Sequence, residues 1–370
     1  MKFPILSATV LVFSLVSCDR QSAPEPDAKN KPVDKPASPN PIPQTNASSA
    51  KKESGGKGLE ELSSRITRSQ LTDVDWEVLE AEINRDPAVA ASWAATLPPG
   101  SNRDECLELI FASWAGTDPD AAIAFVRRNL AGMDLTVAAA SIAETLAEES
   151  PESAVVALSL VAEPLARGAV VESILRGSTS VDPNRAAQWV LATKEPGERR
   201  VAIGTLISEW ASIDPVATAA WIDSHLSGEE KSGAVGLLIE SWGGLSPRAA
   251  ADWLAAHREG LDYELSGGVL ANQWAMVDPK GAASWAMAEK DSGLRESLVV
   301  GLVGTWALNE SSNAIQWAAE IPDAALRREA LVAAFESISE ESPEALDAWM
   351  ASNPNHPAMR EASEVRRNAE

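Results

Sequence analysis

Pro87, Pro119, Pro151, Pro183, Pro215, Pro247, Pro279 and Pro343 stand at multiples of 32 residues from one another, with Ser311 in the single gap. A fixed interval of that length marks a chain made of copies of one supersecondary unit, none of which can bury its hydrophobic face alone. Before these nine positions come Asp86, Asp118, Ser150, Asp182, Asp214, Ser246, Asp278, Glu310 and Ser342. An Asp or Ser side chain accepts a hydrogen bond from the unpaired first-turn amides of a helix, and a proline one place later presets the helical φ where its missing N–H costs nothing. Each pair is therefore predicted to start a helix. That duty accounts for the acids and hydroxyls without a catalytic or metal-binding role.

Two aromatic columns keep the same register. Six residues after the proline position come Trp93, Phe125, Ala157, Trp189, Trp221, Trp253, Trp285, Trp317 and Trp349; five before it come Trp114, Leu146, Ser178, Trp210, Trp242, Trp274, Trp306 and Ile338. They hold twelve of the thirteen tryptophans, and Trp76 precedes them. Ahead of Pro215, Ile203, Leu206, Ile207, Trp210 and Ala211 share one helical face, and after Pro183 so do Ala186, Ala187, Trp189 and Val190. Polar segments such as 193–200 read as turns. Each unit is thus predicted as a helix of about 11 residues, a turn, and a helix of about 14. Gly204, Gly236 and Gly268 recur on the second helix and suggest close backbone approach.

These features predict an all-α fold: an α/α solenoid of about nine 32-residue helix-turn-helix repeats over residues 86–354, wound as a superhelical rod. Residues 59–85, with Trp76, read as N-terminal capping helices, and residues 355–370 as a polar C-terminal cap. The unit resembles the α/α-solenoid superfamily, nearest to tetratricopeptide and half-tetratricopeptide repeats, in its first-helix Trp, its alternation of small and bulky residues, and its junction Pro. It departs in period, 32 rather than 34, and in lacking the usual Gly and Tyr spacing. The resemblance implies a protein-binding scaffold.

The N-terminal 58 residues have a different character. An apolar stretch follows Lys2 and ends Leu15-Val16-Ser17-Cys18, which resembles the bacterial lipobox. It implies a signal peptide over residues 1–17 and a lipid on Cys18, hence a membrane anchor in the cell envelope; Asp19 does not determine which membrane. Residues 18–58 are rich in Pro, Ser and Lys and poor in apolar groups, so they read as a disordered tether.

Charge and motifs restrict function further. Residues 1–57 hold 8 basic and 5 acidic residues of the chain's 31 and 54, so the remainder carries 23 − 49 = −26. Such a surface repels phosphate backbones and argues against nucleic acid. No HExxH, GxSxG, Walker-type loop or CxxC occurs. His225 and His257 are one period apart and suit helix C-termini better than a metal site, and Cys106, near a helix start, reads as an inert thiol. No catalytic, cofactor or metal residue is nominated. The expectation is a non-enzymatic scaffold for an envelope or extracellular protein, the alternative a Trp-lined groove for a glycan or peptide. Residues 115–188, where both Trp columns lapse, read first as sequence drift; the alternative is that the stretch bends the stack or opens a pocket.

Overall fold

The computed structural model describes residues 55–66, 72–258 and 263–368, which belong to one compact unit, residues 51–370. Cys18 and the segments predicted as leader and tether, apart from residues 55–58, lie outside the described residues. Every regular element described is a helix, so the all-α prediction is met. In chain order they are α1 (Gly55–Ile66), α2 (Asp73–Arg85), α3 (Pro87–Ala94), α4 (Ser101–Thr117), α5 (Pro119–Asn129), α6 (Gly132–Glu149), α7 (Pro151–Leu158), α8 (Pro164–Val181), α9 (Pro183–Ala192) and α10 (Pro196–Ile213). There follow α11 (Pro215–His225), α12 (Gly228–Leu245), α13 (Pro247–Ala256), α14 (Tyr263–Val277), α15 (Pro279–Met287), α16 (Ser292–Ala319), α17 (Ala324–Glu341), α18 (Pro343–Ser352) and α19 (Met359–Asn368).

Each of the eight periodic prolines begins a helix at its first turn. The residue before it caps with its side chain at Asp86, Asp118, Ser150, Asp182, Asp214, Asp278 and Ser342. Two junctions differ from the prediction. Ser246 makes no side-chain cap bond. Glu310, followed by serine instead of proline, lies within α16 as a kink at φ −138°, ψ 64°. Its carboxylate accepts from the Trp306 indole at 3.3 Å and the Asn313 amide at 2.8 Å rather than from a first-turn amide.

The second helices are longer than the predicted 14 residues: α6, α8, α10 and α12 each have 18. The polar run 193–200 is only partly a turn, because Pro196 opens α10 and Gly197 to Arg200 form its first turns. Exposure, not helix breaking, explains the polarity there. Pro164 opens α8 in the same way, so the segment after Glu163 is a regular copy of that junction. At the equivalent register α6 and α12 start at Gly132 and Gly228, with φ of 59° and 56°, a region that favours glycine.

The core is continuous. Leu, Ile, Val and Ala on the inward faces of consecutive helices form a single buried cluster, joined at its ends by Leu59 and Leu62 of α1 and by Ala362 and Val365 of α19. Among the described residues, helices that pack substantially on one another are never more than two places apart in chain order. The long helices α2, α4, α6, α8, α10, α12, α14 and α16 each pack on the next, and the short ones pack on their flanking long helices. Close approach falls at other glycines than those predicted. A Cβ on Gly177 would land on the carbonyl of Glu144, and one on Gly243 would come 2.9 Å from Gln273 Cβ. Gly236 and Gly268 have nothing within 4 Å, and Gly204 meets only Leu237 at 3.7 Å. That column lies on the open face of the second helices, so its recurrence does not reflect backbone contact.

Candidate functional site

The tryptophans are structural in placement. Trp114, Trp210, Trp221, Trp242, Trp274 and Trp306 are buried; Trp76, Trp93, Trp189, Trp253, Trp285, Trp317 and Trp349 are half-buried against the core. The two columns meet across each junction, where the last turn of a long helix packs beside the following short one. Ring centroids lie 6.4 Å apart for Trp210 and Trp221, 6.2 Å for Trp242 and Trp253, 5.9 Å for Trp274 and Trp285, and 6.0 Å for Trp306 and Trp317. Tilted pairs at such distances add roughly 0.5–1.5 kcal/mol beyond their area burial. Where the columns lapse, Trp114 packs on Phe125 at 5.3 Å, and Ala157 and Ser178 are fully enclosed. Smaller side chains there accompany the closer approach of α6 and α8 at Gly177.

The histidines belong to the same junctions. His225 stacks on Trp221 at 5.5 Å and His257 on Trp253 at 4.4 Å, and each donates from Nδ1 to that tryptophan's carbonyl, at 3.0 and 2.8 Å. Both rings lie at the C-terminal end of a short helix, as their spacing predicts, and at His257 the ring adds to the bond that its own backbone N–H gives the Trp253 carbonyl. His257 Nε2 also lies 3.1 Å from Asp223, which Lys231 approaches to 3.0 Å. His356 meets Trp349 edge-on at 5.3 Å. Among the described residues no group of three or more His, Cys, Asp or Glu is placed to hold a metal. Cys106 is fully buried in α4, where burial, then the Glu105 charge, push its thiol up to about 12. Its position in the second turn gives no reactive thiolate.

A column of arginines does the joining that the tryptophans do not. Arg103, Arg167, Arg199, Arg295 and Arg327 share one register near the start of the second helices. They donate to main-chain carbonyls near the end of the preceding short helix: Leu97, Leu158, Val190, Glu289 and Ile321, at 2.6 to 3.1 Å. Three also pair with an acid in the next unit: Arg103 with Asp134, Arg167 with Glu198 at 2.6 Å, and Arg199 with Glu230 at 2.7 Å. The bond from Arg199 is the chief cause holding Glu230 below the usual carboxylate range. The recurrence of Arg is visible in the sequence but overshadowed by the Pro and Trp columns.

A groove of about 840 Å³ is formed by α4, α6 and α8 and reaches Trp76 and Glu80 of α2. Leu109, Val137, Ala140 and Ala169 supply apolar surface; Glu80, Glu105, Glu108, Glu144, Glu148 and Glu172 line it with carboxylates. The register that holds Gly204, Gly236 and Gly268 further along is Glu108, Ala140 and Glu172 here. A cavity thus lies along the Trp-poor stretch, but none of Phe125, Leu146, Ala157 or Ser178 lines it. The lapse in the Trp columns therefore does not create it. Its acids lie on the outward register of the second helices, which hydrophobic periodicity does not single out.

Comparison with family models, with curated proteins and with solved structures finds no match.

Proposed function

We propose that the chain is a non-enzymatic protein-binding scaffold of the bacterial cell envelope: an α/α solenoid of about nine 32-residue repeats, tethered through a lipid on Cys18. The observation that carries this reading is the placement of the tryptophans. A groove that binds glycans through tryptophan presents rows of exposed rings, whereas six of the tryptophans here are buried and seven half-buried against the core. Packing restricted to chain neighbours supports the repeat architecture, since a stack of hairpins has no other contacts to make. No described helix is long and apolar enough to cross a membrane. Membrane attachment in this reading comes from the N-terminal lipid.

One experiment tests both parts. The full-length chain, expressed in a Gram-negative host and fractionated, is expected in the membrane pellet, and Cys18→Ala in the soluble fraction. Affinity capture from native envelopes is expected to recover a protein that the purified chain rebinds in stoichiometric amount. Retention of Cys18→Ala in the pellet would remove the lipid anchor. Recovery of no protein partner, together with quenching of tryptophan fluorescence by oligosaccharides, would replace the scaffold with a glycan-binding groove.

A further inference from the structure

We infer that the groove along α4, α6 and α8 binds an extended, lysine- or arginine-rich peptide segment of the scaffold's partner, its cations on the six glutamates and its backbone on Ser173. This rests on the scaffold reading and names the chemistry of the partner.

Charge is the first reason. The six glutamates face one cation among the lining residues, Arg176, which already pairs with Glu144 at 2.8 Å. The pKa of Glu108 is raised, chiefly by burial and then by the charges of Asp104, Glu105 and Glu144, with Arg176 opposing. Carboxylates crowded in this way repel one another, and an incoming cation relieves the repulsion. Of the six glutamates, Glu144 alone has an ion-pair partner among the described residues.

The second reason is independent of charge. Ser173 is 5% exposed and lines the groove, and among the described residues its hydroxyl meets no hydrogen-bond partner. Its counterpart one unit earlier, Ser141, donates to the Glu108 carbonyl at 2.6 Å. Its oxygen keeps access to the groove, where a peptide backbone lying along it offers both a donor and an acceptor.

Size selects a peptide over a small polycation. Helices α2, α4, α6 and α8 pack in succession, three steps of about 8–10 Å each, so the acids extend over roughly 25–30 Å. An extended chain covers that distance in about eight residues. Its apolar side chains would also cover Leu109 and Val137, which a polyamine leaves wet.

The test is fluorescence anisotropy of a labelled peptide of about eight alternating Lys and Leu residues against the detergent-solubilised full-length chain. Micromolar binding is expected, weakening about tenfold between low and physiological salt, with none for the matching Glu and Leu peptide. The triple variant E108Q/E144Q/E172Q, checked for folding by circular dichroism, is expected to lose at least about tenfold in affinity. The control E163Q/E195Q/E229Q removes the same formal charge outside the groove and is expected to bind as wild type. Ser173→Ala is expected to cost about fivefold. Equal losses in both triples would reduce binding to net charge and overturn the site. So would absence of peptide binding, or a salt-insensitive self-association that blocks it. If the native partner is still captured when the peptide fails to bind, the groove assignment falls and the scaffold stands.

Discussion

A single capping side chain shows how the repeat is written locally. Asp182 accepts from the amides of Asn184 and Arg185 at 3.0 and 3.1 Å, whereas Ser246, at the same register, makes no side-chain bond. Both precede a proline and both start a helix. Asp182→Ala is therefore expected to lower unfolding free energy by about 1 kcal/mol. Ser246→Ala should leave it unchanged within a few tenths. Chemical denaturation read by far-ultraviolet circular dichroism separates the two, and equal losses would mean that the serine cap forms in solution. Glu310 shows what happens without proline: its carboxylate turns to Trp306 and Asn313, and those bonds hold it below the usual carboxylate range. The helix boundary becomes a kink. Substituting Ser311 alone would not restore the cap, because the glutamate is already engaged.

Between helices, the telling contrast is among glycines. Gly177 of α8 sits where α6 passes so closely that a methyl group would strike the Glu144 carbonyl, and a backbone atom cannot step aside as a side chain can. Gly177→Ala is expected to destabilise by about 2–3 kcal/mol or more. Gly236 of α12 has open space around its Cβ position, so Gly236→Ala should stabilise by about 0.5–1 kcal/mol through helix propensity alone. A stabilised Gly177→Ala would mean that the α6–α8 approach is looser than described. Read from sequence, Gly236 looked the more constrained because it recurs at Gly204 and Gly268, yet recurrence marks register rather than contact. The same limit applied to the groove. Pro, Asp and Trp report the junctions because capping and ring packing are local and repeat in every unit. Ser173 and the glutamates acquire meaning only once α4, α6 and α8 lie side by side, which no single unit encodes. The arginine column falls between these cases. Its register repeats, but the acids that answer it lie one unit on.

For the unit as a whole, packing limited to near neighbours has a consequence that compact domains do not share. Excision of residues 215–246 would join Asp214 to Pro247, recreating an Asp-Pro junction, and would place Trp253 eleven residues after Trp210, the spacing at which Trp221 now stands. Helices α10 and α14, both of which pack on α12, would then meet each other. Stability in such a stack is nearly a sum of unit and interface terms, so losing one unit removes one interface and leaves the others intact. The shortened chain is expected to remain helical, to keep an unshifted tryptophan emission maximum, and to melt cooperatively a few degrees lower. The net charge of −26 over residues 58–370 adds self-repulsion that salt screens, so both chains should gain thermal stability with ionic strength. A deleted chain with red-shifted emission and no cooperative transition would show that the units depend on contacts beyond their neighbours, and the solenoid reading would fall with it.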